Sequence, residues 1–204
     1  MRQFRSVVPT LLATAVAIAA LMLSAPVSYA IPLTFVGHLS AANEVPPPVV
    51  VSQGTGLATI VLDPTAQTIR ISVTFANLTS NDVAAHIHCC MPLGINAGVA
   101  TVIPAFPGFP LGVTSGTFDQ TFDLTQASFY NPAFDGGTTA AKEATLIAGI
   151  EAGMAYFNIH TVNFPGGEIR SQLSPVPAPA SLVLLASALL GLGLIRRRKP
   201  TARS

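Results

Sequence analysis

The stretch Thr68-Ile69-Arg70-Ile71-Ser72-Val73-Thr74-Phe75 decides the fold class, because apolar and polar residues alternate along its whole length. Side chains of a β-strand point alternately to the two faces of a sheet, so this pattern predicts a strand with one buried and one polar face. Residues 57–62 are also rich in β-forming residues, and residues 63–67 between the two runs are typical of a turn. The pair predicts an antiparallel hairpin.

The rest of the chain repeats this organisation at regular spacing. Further strands are predicted at residues 34–39, 86–90, 116–124, 155–161 and 168–173. Only residues 139–152 follow helical spacing, with Gly153 placed to end the helix. Many short strands and one helix predict a mainly β protein, an antiparallel β-sandwich or Greek-key barrel with one short helix.

The N-terminus has the three parts of a secretory signal peptide. Arg2 and Arg5 precede an apolar run at residues 7–23, and small residues stand at Ser28 and Ala30. We expect cleavage after Ala30, so residues 1–30 are a signal peptide and residues 31–174 form the exported domain. That domain has the usual length of a single domain.

The C-terminal segment, residues 175–204, also has three parts. A proline-rich linker that contains Val176-Pro177-Ala178-Pro179 leads into the apolar run 180–195, which the cluster Arg196-Arg197-Arg198-Lys199 follows. As a helix the apolar run would be about 24 Å long, somewhat shorter than the hydrocarbon core of a bilayer. The basic cluster would keep this end cytoplasmic and leave the preceding domain outside.

The two ends together resemble the PEP-CTERM proteins of Gram-negative bacteria. In that family the tail is a sorting signal for an exosortase, and its carriers are linked to extracellular polysaccharide and biofilm. Ala178 stands where the family usually has glutamate. The resemblance implies an exosortase-type processing enzyme as a partner, at least transient membrane attachment through the C-terminal helix, and a final place at the cell surface or outside the cell. The alternative is a plain membrane anchor.

The charge of the exported domain differs from that of the whole chain. Arg70, Lys142 and Arg170 are its only basic residues, against all nine acidic residues of the sequence, which gives a net charge of −6. An acidic surface argues against nucleic acid or an anionic polysaccharide as a simple electrostatic partner. Metal cations would be attracted to it.

Three histidines are candidate metal ligands. In the stretch Ala85-His86-Ile87-His88-Cys89-Cys90, a β-strand places His86 and His88 on one face, where two neutral imidazoles can reach the same ion. His160 lies on another predicted strand, and the three imidazoles would converge if the two strands are neighbours. Three histidines suit zinc or copper. Alternatively, these histidines donate to backbone carbonyls or to Glu44 and Glu168, in a buried polar network that stabilises the fold.

Cys89 and Cys90 are the only cysteines and are adjacent in the sequence. In an oxidising compartment they can form a vicinal disulfide, bond to other chains, or remain thiols. The sequence leaves these three states open.

Four short motifs, in order along the chain, are similar to the CHRD domain, which is named for chordin and is common in bacterial exported proteins. They are Phe35 to Glu44-Val45-Pro46, Ala85-His86-Ile87-His88, Tyr156 to His160-Thr161, and Gly167-Glu168-Ile169-Arg170. The family usually has glycine where this chain has Ser171. The resemblance implies the β fold and export, but no catalytic residues.

Two functions therefore remain open. Known catalytic motifs such as Gly-x-Ser-x-Gly, a phosphate-binding loop or His-Glu-x-x-His are absent from the sequence. The first hypothesis is an exported, noncatalytic domain at the envelope or in the extracellular polysaccharide matrix that binds a protein or glycan partner. The alternative is a metal-binding domain or metalloenzyme that uses His86, His88 and His160.

Overall fold

The computed structural model describes residues 31–47 and 52–177. The predicted signal peptide, with its cleavage site at Ala30, and the predicted sorting segment from Ala178 onward lie outside the described residues. No helix within the described ranges is long and apolar enough to cross a membrane.

The described residues form eight strands and one α-helix. The strands are β1 (Leu33–Ser40), β2 (Thr55–Asp63), β3 (Thr68–Ala76), β4 (Asp82–Cys89), β5 (Gly116–Asp123), β6 (Ala155–Thr161), β7 (Ile169–Gln172) and β8 (Ser174–Pro175), and the helix is α1 (Thr139–Glu151). Each predicted strand and the predicted helix is present within a few residues of its expected bounds.

All eight strands belong to one antiparallel sheet. Seven of them follow the order β4-β6-β7-β1-β2-β3-β5, and the eighth, β8, pairs with β1 at Phe35 and Val36. The sheet curls into a half-barrel. The predicted hairpin is β2–β3, paired from Thr55 with Ala76 to Asp63 with Thr68. The prediction of a mainly β, antiparallel fold with one short helix is therefore confirmed. β8 includes Pro175, so the sheet extends one residue into the predicted linker.

The inner face of the curled sheet holds the apolar core. On β3 the four apolar residues of the alternating stretch, Ile69, Ile71, Val73 and Phe75, are at most 4% exposed. Phe106, from the segment between β4 and β5, lies 6.1 Å from the rings of both Phe118 and Phe157 and so connects the two ends of the sheet. Each large side chain buried in this way contributes roughly 1.5–3 kcal/mol.

Helix α1 packs against β4 and β6. It begins after Thr138, whose side chain accepts a hydrogen bond from the backbone N–H of Ala141. Gly153, with φ of +68°, lies just past its end, as expected for a residue that stops a helix. Lys142 on its first turn donates from Nζ to the backbone carbonyls of Asn131 and Pro132. The helix thereby fixes the segment that leads into it.

Candidate metal centre

Strands β4 and β6 are neighbours, and this brings the three candidate histidines together. In the antiparallel register His86 pairs with Asn158, His88 with Tyr156, and Ala84 with His160. The intervening residues, such as Ile87 and Ile159, point to the core and are fully buried. All three imidazoles therefore lie on the outer face of the same strand pair.

The three rings are in contact with one another. Ring centroids are 4.8 Å apart for His86 and His88, 4.6 Å for His86 and His160, and 5.7 Å for His88 and His160. One ligand nitrogen from each residue lies within 4.8 Å of the others. Zinc–nitrogen bonds of about 2.0–2.1 Å in a tetrahedral site place the ligand nitrogens roughly 3.4 Å apart. The rings would therefore have to move inward to bind one ion.

Two of the rings are anchored through Nδ1. His88 Nδ1 lies 2.8 Å from the carbonyl oxygen of Ala97, and His160 Nδ1 lies 3.0 Å from that of Pro165. Because a carbonyl oxygen can only accept, both rings carry their proton on Nδ1 and present the lone pair of Nε2. Both Nε2 atoms are buried without a hydrogen-bond partner. Histidine ligands of metals are typically oriented by hydrogen bonds of this kind.

Burial also keeps the histidines uncharged. His86, His88 and His160 are 5%, 8% and 8% exposed. Burial, followed by the proximity of the other two rings, lowers the pKa of His86 to about 3. Burial lowers the pKa of His88 to about 4 against the opposing effect of its hydrogen bond to Ala97, and burial also lowers the pKa of His160. Neutral imidazole is the form that binds metal ions.

A stack of side chains continues from the histidines to a buried cation. The ring of Tyr156 lies 4.7 Å from that of His88, and the guanidinium of Arg170 lies 4.0 Å from the centre of the Tyr156 ring. Arg170 is only 2% exposed. Its charge is stabilised by the aromatic ring and by a 2.7 Å hydrogen bond from Nη1 to Asn96 Oδ1.

Residues 91–98, which we call the cover segment, lie over this stack. Ala97 donates its N–H to the Tyr156 hydroxyl at 3.1 Å and supplies the carbonyl that holds His88. Asn96 connects Arg170 to the backbone carbonyl of Val45. Sequence reasoning missed the carbonyls of Ala97 and Pro165, because backbone groups in loops leave no pattern in the residue types. It missed the side chain of Asn96 because the surrounding segment has no repeating pattern of residue types.

The two glutamates expected as alternative partners of the histidines are placed elsewhere. Glu168 is fully buried and accepts hydrogen bonds from the hydroxyls of Ser52, Thr79 and Thr161 and from the Thr79 N–H. Glu44 lies near Arg170 and Asn158, and burial raises its pKa to about 7 although both neighbours favour the ionised carboxylate. Among the described residues no histidine donates to either glutamate. The alternative interpretation thus holds for the backbone carbonyls but not for the carboxylates.

Cys89 and Cys90 lie at the end of β4, and their sulfur atoms are bonded to each other in the structure. Cys89 is 5% exposed and belongs to the apolar core, as Ile87 does. The sulfur atoms are therefore not part of the histidine cluster. The redox state of the pair stays a prediction.

Comparison with known families bears on the whole domain. The family model described as CHRD domain matches residues 35–173. No curated protein and no solved structure matches the chain. The matched range runs from β1 to the end of β7 and contains every residue of the candidate metal centre.

Proposed function

Because the chain belongs to the CHRD domain family, we propose that it is an exported, noncatalytic member of that family that binds one zinc or copper ion through His86, His88 and His160. One observation carries this proposal: three uncharged imidazoles converge in a buried site, and each has a buried ring nitrogen without a hydrogen-bond partner. Zinc and copper both accept neutral imidazole ligands.

A purely structural role explains this arrangement less well. A buried polar atom without a partner costs about 1–3 kcal/mol, and three such nitrogens meet in one place. The backbone carbonyls of Ala97 and Pro165 satisfy only the Nδ1 atoms of two rings. A bound cation would satisfy Nε2 of His88 and of His160, and the net charge of −6 in residues 31–174 would favour its approach.

A metalloenzyme is the second candidate. Three histidine ligands leave one coordination position open, which is the arrangement of many catalytic zinc sites. The cover segment and the low exposure of the rings favour storage of an ion or structural use of it over turnover of a substrate.

We further propose that the domain acts at the envelope or in the extracellular matrix, where it binds a protein or glycan partner. This proposal is supported by the signal-peptide pattern that ends at Ala30 and by the exosortase-type tail that contains Val176-Pro177-Ala178-Pro179. The intact mass of the protein recovered outside the inner membrane should correspond to a chain that begins at Ile31. A chain that retains residues 1–30 would contradict export by this route.

The metal proposal is tested by elemental mass spectrometry of the full exported protein, purified without chelator and without a histidine tag. We expect close to one zinc or copper ion per chain, and none in the His86→Ala/His160→Ala variant. His38 offers a matched control, because it is the remaining histidine of the chain and is exposed on β1. The proposal fails if wild-type protein incubated with either metal remains metal-free, or if His38→Ala loses as much metal as the double variant.

A further inference from the structure

We propose that Asn158, held in place by Glu44, is the positioning residue of His86: its side-chain oxygen accepts the Nδ1–H of His86 and so directs Nε2 of that ring to the metal. This inference rests on the proposed metal site and assigns the tautomer of its third ligand.

The first observation is an asymmetry among the three rings. His88 and His160 each have an Nδ1 anchored to a backbone carbonyl, at 2.8 Å and 3.0 Å. His86 Nδ1 is buried and has no partner. A three-histidine site with two oriented rings and one unoriented ring is incomplete, because ligands of bound metals are usually fixed by a hydrogen bond on the other nitrogen.

The second observation is that the missing acceptor is present directly across the sheet. Asn158 pairs with His86 in the β4–β6 register and is 2% exposed. Its Oδ1 is also buried and without a partner. Side chains directly opposite on antiparallel strands have Cβ atoms about 4.5–5.5 Å apart, which is within reach of a hydrogen bond between an amide and an imidazole. Rotation of either side chain therefore satisfies both atoms at once.

The third observation concerns how the amide of Asn158 is oriented. A Cβ at Gly167 would lie 2.6 Å from Asn158 Nδ2, 2.8 Å from Asn158 Oδ1 and 2.7 Å from Glu44 Oε1, so the amide and the carboxylate both border the space that a side chain would fill. Glu44 Oε1 is buried without a hydrogen-bond partner, and although burial raises the pKa of Glu44, the nearby Asn158 amide acts to lower it. When the NH₂ group is directed to Glu44, the oxygen remains for His86.

Together these contacts give the three rings the same arrangement. Each would donate Nδ1–H to an oxygen, from Ala97, Pro165 or Asn158, and each would offer Nε2 to the ion. The role of Gly167 follows from the same geometry, since a side chain there would collide with both Glu44 and Asn158.

The test compares two variants with zinc as the probe. Asn158→Leu removes the acceptor at similar size, and we expect zinc affinity to fall about 10–100-fold. The double variant Glu44→Gln/Asn158→Asp reverses the direction of the first hydrogen bond but keeps an acceptor for His86, and we expect affinity close to that of the wild type. If Asn158 had only a structural role, its replacement would lower the stability of the protein. Zinc affinity would then not fall in Asn158→Leu and return in the double variant.

The ¹⁵N NMR spectrum of the histidine rings supplies the second readout. In the wild type we expect His86 as the Nδ1–H tautomer, and in Asn158→Leu we expect only His86 to lose this signature, while His88 and His160 keep it. The inference is overturned if wild-type His86 carries its proton on Nε2, or if Asn158→Leu binds zinc as tightly as the wild type. If Asn158→Leu does not fold, the double variant Glu44→Gln/Asn158→Asp decides. The inference is then overturned if this variant loses its zinc affinity or if its His86 is not the Nδ1–H tautomer. If the wild type binds no metal, the proposed function fails, whereas the tautomer of His86 in the metal-free protein still decides the role of Asn158.

Discussion

The outer face of the sheet carries polar side chains at both of its ends, but the two ends have different surroundings. On β3 and β5, Arg70 and Asp119 form a two-pronged ion pair, and their side chains are 56% and 47% exposed. On β4 and β6, His86 and Asn158 occupy equivalent outward positions and are 5% and 2% exposed. The loops that pack over the second end account for the difference. Ala97 lies against His88 and Pro165 against His160, and Gly167 lies beside Asn158.

A polar residue on the outer face of the sheet is therefore not necessarily a surface residue. An exposed ion pair such as Arg70–Asp119 contributes little to stability, since water competes for both charges. A buried polar group contributes more when satisfied and costs more when it is not. A ligand that satisfies unpaired polar groups would therefore stabilise the protein most at the end formed by β4 and β6.

Acid should have the largest effect on the covered end. The folded pKa values of His86 and His88, about 3 and 4, lie below the ordinary 6.5, so unfolded chains bind protons below pH 6.5 that folded chains do not. The contribution of each neutral histidine to the free energy of unfolding is thus fully present above pH 6.5. It decreases as the pH falls, by roughly 3 kcal/mol per histidine at pH 4. Glu44 acts in the opposite direction between pH 4.5 and about 7, because its folded pKa is raised.

Urea unfolding of metal-free protein at several pH values measures this effect. The wild type should lose roughly 3 kcal/mol from pH 7 to pH 4, and Glu44→Gln, which lacks the opposing carboxyl group, roughly 6 kcal/mol. Equal stability of the wild type at pH 4 and pH 7, with no difference in the variant, would show that the histidines are not buried as described.

Two arginines offer a matched comparison of the two ends. Arg170→Ala removes a buried cation that stacks on Tyr156 and holds Asn96, and it leaves Glu44 without its neighbouring positive charge. We expect a loss of about 3 kcal/mol in the free energy of unfolding. Arg70→Ala breaks only the exposed pair and should lower the free energy of unfolding much less. Similar losses for the two variants, measured by urea unfolding at pH 7, would remove the distinction between the two ends of the sheet.

Reduction of the cysteine pair should have the smallest effect. A bond between adjacent residues constrains the unfolded chain little, so reduction should change stability by about 1 kcal/mol. Zinc affinity should not change, because Cys89 lies on the core side of β4. Alkylation with and without a reductant reports the bond, and alkylation of the unreduced protein would contradict it. A large loss of zinc on reduction would contradict the separation of the cysteine pair from the three histidines.

Much of the fold could be predicted from local pattern. Alternation gave β3 and its hairpin with β2, and the placement of His86 and His88 on one face followed from the same rule. The neighbouring position of β4 and β6 could not be derived, because strands about 70 residues apart in sequence pair through long-range packing. The carbonyls of Ala97 and Pro165 could not be derived either, since every residue has one.

The few basic residues of the domain also bear on its resistance to proteases. Between residues 31 and 177 the chain has only Arg70, Lys142 and Arg170, and each donates to an oxygen within the fold. Two of them lie in strands of the sheet and one in α1. A trypsin-like protease must bind an extended, freely accessible segment around a lysine or arginine, so all three peptide bonds become available only on unfolding. The scarcity and placement of these cations make the folded domain a poor substrate for such proteases.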